Sequence, residues 1–136
     1  MIMRIRTLLA VLLSVILGWS CRDSGSGPMP SSPVPIGALT FTSYDEAGRI
    51  DETGWLLLNV SDPEHVMGIW QLSARGSGEL RGSIENGRIV VDLHPGYADN
   101  NYILDGVIQR GGYSGSWTQI GFAGIMASGR FEAYPR

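Results

Sequence analysis

After Ala38 the chain alternates apolar and polar residues in short runs broken by turn-forming residues, and no window sustains a 3.6-residue period. Period-two alternation between turn signals is the mark of half-buried strands. The pattern predicts eight strands: Leu39 to Asp45, Trp55 to Val60, His65 to Ala74, Gly78 to Glu85, Arg88 to Leu93, Tyr102 to Gln109, Tyr113 to Thr118 and Ile125 to Tyr134. Their connections read mostly as hairpins: Asn86-Gly87, Arg110 to Gly112, and Gly76 to Gly78. Longer irregular stretches are expected at Ala47 to Gly54 and His94 to Asn101.

Five hexamers share one form, apolar-x-Gly-x-large apolar-polar: VMGIWQ from Val66, LRGSIE from Leu80, LDGVIQ from Leu104, YSGSWT from Tyr113 and ASGRFE from Ala127. Positions one, three and five of a strand share a face. Gly68, Gly82, Gly106, Gly115 and Gly129 therefore belong with Trp70, Ile84, Ile108, Trp117 and Phe131, while Arg81, Asp105, Ser116, Arg130 and Glu132 face water. Glycine weakens a flat strand. On the inner face of a tightly coiled sheet it relieves crowding, and coiling leads to closure. The expected fold is all-β: a small antiparallel up-and-down β-barrel of about eight strands, the last closing on the first, with a two-sheet sandwich as the alternative. The chain has no lysine to guard a strand edge, which also favours closure.

The N-terminus follows a different rule. Arg4 and Arg6 precede an apolar run from Thr7 to Leu17, followed by the small residues Gly18 and Ser20. This is the order of a secretory signal peptide, in a helix too short to span a bilayer. The expected organisation is a signal peptide at 1–20, a lipidated cysteine and disordered Pro/Ser/Gly-rich tether at 21–37, and the barrel at 38–136. Cys21 is the sole cysteine, so no intrachain disulfide is open to it. A lone cysteine directly after a signal's small residues resembles the bacterial lipoprotein family. That resemblance implies cleavage before Cys21, diacylation of its thiol and a place in the cell envelope. Arg22, where that family's inner-membrane signal would have Asp, implies the outer membrane if the cell has one. Ordinary signal cleavage at the same bond is the alternative, leaving a periplasmic or secreted protein.

The repeated Gly-x-Trp and Gly-x-Phe hairpins from Val66 to Ala133 resemble small exported bacterial β-proteins and, more loosely, the lipocalin-like (calycin) barrels. The resemblance concerns shape, and function has to be argued from a site. It implies at most a carrier, in which Trp70, Tyr113, Trp117 and Phe131 line a pocket for a small apolar ligand.

Charge excludes one class of partner. Without residues 1–20 the chain holds 8 arginines against 13 acids, a formal charge of −5, which disfavours contact with nucleic-acid phosphates. Catalytic chemistry has little to stand on. His65 beside Asp62 and Glu64, together with His94, are the residues an enzyme or a metal site would have to use. Asp-Pro-Glu and Pro-Gly are ordinary turn formers, however, and no spacing matches a ligand motif. No Ser sits in a nucleophile elbow, and no glycine loop leads into a helix. The expectation is a protein with no catalytic residues, metal or cofactor: a membrane-tethered barrel that binds another envelope protein, or alternatively a small apolar ligand. The loop from Gly96 to Asn101 is the expected contact point.

Overall fold

The computed structural model describes residues 37–109 and 111–136. The signal stretch, Cys21 and the tether up to residue 36 lie outside the described residues. Eight strands follow one another: β1 (Gly37–Asp45), β2 (Ile50–Asp62), β3 (His65–Leu72), β4 (Gly76–Glu85), β5 (Arg88–Asp92), β6 (Asn100–Gln109), β7 (Gly112–Gly121) and β8 (Gly124–Pro135). Each pairs antiparallel with the next, and β8 pairs with β1 from Leu39↔Pro135 to Asp45↔Gly129, closing the barrel. The up-and-down barrel expected from the glycine hexamers is the fold, and the sandwich is not.

The five glycines do face inward, and the structure shows why no larger residue would serve. A β carbon on Gly68 would overlap the carbonyl oxygen of Leu57, and one on Gly82 that of Val90. At Gly106, Gly115 and Gly129 the obstacles are the carbonyls of Ser114, Asp105 and Tyr44. Each glycine thus lets a neighbouring strand bend across the space a side chain would occupy, which is how a narrow barrel reaches its curvature. Gly54 in β2 does the same against Gln71 and is a sixth member of the set. Rings then lie over the bared backbone: a Gly78 β carbon would meet the indole of Trp70, a Gly106 β carbon Phe131, and a Gly129 β carbon Trp117.

The interior is packed by these rings and by aliphatic residues such as Leu56, Leu58, Leu80 and Leu104, all buried. Phe131 stacks on Phe41 at 5.8 Å and meets Tyr113 edge-on at 4.7 Å, while Tyr102 stacks on Trp117 at 5.0 Å. The outer face carries charge, including the Arg88–Asp105 pair at 2.8 Å and Arg130 over the Tyr44 ring at 4.0 Å. Apolar inside and charged outside is the reverse of a barrel whose wall faces lipid.

Several boundaries differ from expectation. The stretch expected to be an irregular loop at Ala47 to Gly54 is mostly strand: the β1–β2 turn is only residues 46–49, drawn tight by Asp45 N–H to Arg49 O at 2.8 Å and Arg49 N–H to Asp45 Oδ1 at 2.9 Å. The reason is Glu52, which occupies an inward position and so breaks the apolar alternation. The β3–β4 turn is 73–75, with Gly76 already in β4, instead of Gly76 to Gly78. The Asn86-Gly87 turn holds as expected, with φ of 52° and 77° at its two residues.

Because neighbouring strands alternate in direction, the links divide between two ends. The proximal end, where β1 begins, has the 63–64 and 86–87 links, the passage from β6 to β7, and the end of β8. The distal end has 46–49, 73–75, 93–99 and 122–123.

Candidate functional site

The chemistry gathers at the distal end in two adjoining parts. The first is a polar cap over the core. Alternation along β2 turns Glu52 inward with Gly54, Leu56 and Leu58, and its side chain is only 3% exposed. A carboxylate so placed needs partners. Its Oε2 accepts from Ser73 Oγ at 2.9 Å and from the Ala74 N–H at 3.0 Å, and its Oε1 lies 3.3 Å from Arg75 Nε. The β3–β4 turn is thereby folded across the barrel mouth. Arg75 continues the cap: its guanidinium sits 4.4 Å from the centroid of the Tyr102 ring, and Nη2 donates to Gln119 Oε1 at 3.2 Å. Beneath it Tyr102 Oη donates to Ser43 Oγ at 3.3 Å, and burial holds that phenol well above its ordinary pKa.

The second part is a cleft of about 390 Å³ between the β3–β4 hairpin and the 93–99 loop, lined by Trp70, Ser77, Arg81, His94, Tyr97 and Asn100 among others. That volume falls within the range of small-molecule sites. His94 forms one wall. Its backbone N–H donates to Asp92 Oδ1 at 2.8 Å, and its ring meets Trp70 edge-on at 5.1 Å and Tyr97 at 6.4 Å. Its Nδ1 is buried without a hydrogen-bond partner. Burial lowers its pKa, and the positive charge of Arg75 adds to that against the opposing pull of Asp92. The imidazole is therefore neutral at pH 7. The cleft offers an aromatic edge, a neutral imidazole, an amide, a hydroxyl and a guanidinium: the means to hold a polar group, with no covalent step implied.

Of the residues singled out from sequence, Trp70, Tyr113, Trp117 and Phe131 are all core, each 2% exposed or less. Their polar atoms are spent on the barrel's own backbone. Trp70 Nε1 donates to Leu93 O at 2.7 Å, Trp117 Nε1 to Tyr44 O at 2.9 Å, and Tyr113 Oη to Ile89 O at 3.0 Å. The structure does not bring His65 and His94 together. His65 sits at the proximal end with Nδ1 2.8 Å from Asp62 Oδ1, and His94 sits at the distal end. Among the described residues no three His, Cys, Asp or Glu side chains are grouped to hold a metal ion. The loop expected as a contact point contributes Tyr97 and Asn100 to the cleft.

Sequence reasoning passed over Glu52 and Arg75. The signal was there for Glu52: Glu52-x-Gly54-x-Leu56 repeats the hexamer spacing with a carboxylate where the apolar residue should be. Arg75 carries no comparable mark, since its role depends on where the turn folds.

Compared with known proteins, the chain matches no protein-family model and no curated protein sequence.

Proposed function

We propose that this protein is an exported envelope protein, anchored by lipid on Cys21, whose barrel is a non-catalytic binding module that engages an envelope partner through the distal cleft. The observation that carries the reading is the use of the interior. Trp70, Tyr113, Trp117 and Phe131 are all buried, the first three hydrogen-bonded to the barrel's backbone and Phe131 packed on Tyr113 and Phe41, and the Glu52–Arg75 cap closes the mouth. Open space lies instead at the surface, where His94, Tyr97 and Asn100 meet the β3–β4 hairpin. A rigid closed barrel is a suitable platform for such a site, since its loops are held by strands at both ends. The net charge of −5 after residue 20 turns the module away from nucleic acid.

Two measurements test this reading. The intact mass of the mature protein from its native membrane should equal the chain from Cys21 plus a diacylglycerol group and an acyl chain or free amine. An unmodified cysteine at the N-terminus would reject the anchor. Titration with a fluorescent fatty acid should leave tryptophan emission unquenched, and saturable quenching would replace the interaction module with a carrier.

A further inference from the structure

Between Arg110 and Arg130 the sequence has no charged side chain. Most of that stretch is the β7–β8 hairpin, whose tip is Phe122 and Ala123 at the distal end. β8 pairs with β1 only from Gly129 onward, so residues 124–128 run past β1 with β7 as their partner strand. Three large apolar side chains stand out on this projection: Phe122 is 97% exposed, Ile125 74% and Met126 66%. Exposed Tyr97 belongs to the neighbouring loop, whose Asp99 carbonyl lies beside Gly121. Single exposed apolar residues are ordinary, but three on one uncharged, projecting tip call for a partner.

We propose that the β7–β8 tip is a lipid contact, inserting Phe122, Ile125 and Met126 to the headgroup boundary of a bilayer. A convex hairpin without charge can enter that layer without desolvating an ion, and the phenol of Tyr97 suits the interface beside it. Insertion is shallow, because the backbone groups on the outer edge of residues 124–128 still need water or headgroups to bond with. The sequence places 15 residues, Arg22 to Ile36, between Cys21 and the first strand. Charge selects the lipid: near the tip stand Asp45, Glu46, Asp51 and Asp99, with Arg49 the opposing cation. An acidic surround favours zwitterionic over anionic headgroups.

The proposal depends on the export reading only for a bilayer within reach, and its test removes the anchor. The chain from Cys21 onward carrying Cys21→Ser, which bears no lipid, is mixed with phosphatidylcholine vesicles and sedimented. It should bind, and binding should weaken when phosphatidylglycerol is added at low salt. Phe122→Ser should bind about tenfold more weakly or worse with its thermal melt unchanged, since that side chain packs on nothing. Failure of the unsubstituted chain to bind, or equal binding by Phe122→Ser, overturns the proposal. So does a self-associated species that Phe122→Ser disperses in the absence of vesicle binding, which would assign the tip to a second copy. The mass measurement decides the anchor separately, so either reading can fail alone.

Discussion

The proximal half of the barrel and its distal mouth are built from the same strands by opposite means. In the proximal half Phe41, Tyr113 and Phe131 fill the space by ring packing. At the mouth the same inward positions hold Glu52 on β2 and Gln119 on β7, with Arg75 folded over them. Packing rings gain from leaving water, whereas a carboxylate loses by it and must be compensated by each of its partners. The mouth is thus held by a few directional contacts and the body by many non-directional ones. A lost ring leaves a hole that neighbours partly close, but a lost partner at the mouth strands a charge.

That contrast can be tested by urea unfolding of single variants. Phe131→Ala should cost the most, about 4 kcal/mol, through lost burial and a residual cavity. Glu52→Ala should cost about 3 kcal/mol, by leaving the Arg75 charge without its counter-ion and the Ala74 N–H without its acceptor; a cost near zero would mean that the cap is ornamental and the two halves are alike. Gly115→Ala should cost about 2 kcal/mol or more because its methyl meets the Asp105 carbonyl, although alanine ordinarily favours regular structure. Gly87, with open space around it but φ of 77°, should lose only about 1 kcal/mol on the same change. The smallest effect is the dependence on pH. His94 has a folded pKa below its unfolded value, so the unfolded chain binds the proton first as pH falls. Stability should therefore be full above about pH 6.5 and decline below it, and His94→Phe should flatten that slope in thermal melts taken across the window.

The barrel was legible because its device is repetitive. Gly68, Gly82, Gly106, Gly115 and Gly129 recur at one spacing with a large residue two places on, and the inner face follows from period two alone. Legibility fails where a position departs from its face's usual chemistry. Glu52 made β2 look like a loop. β7 runs on through Gln119, Ile120 and Gly121 beyond its expected end at Thr118, where a polar, an apolar and a glycine position carry no clear alternation. The candidate site shows the same division. Pro95, Gly96 and Asp99 identify the 93–99 loop as a loop, but that it closes a cleft against Trp70 and Arg81 depends on long-range register that no local pattern encodes.

Closure also decides how the molecule bears load. β1, the first strand, is laddered on one side to β2 and on the other to β8. A pull applied to its N-terminal end would run along that strand, perpendicular to its hydrogen bonds. The bonds on both flanks would then share the strain in shear instead of parting one after another.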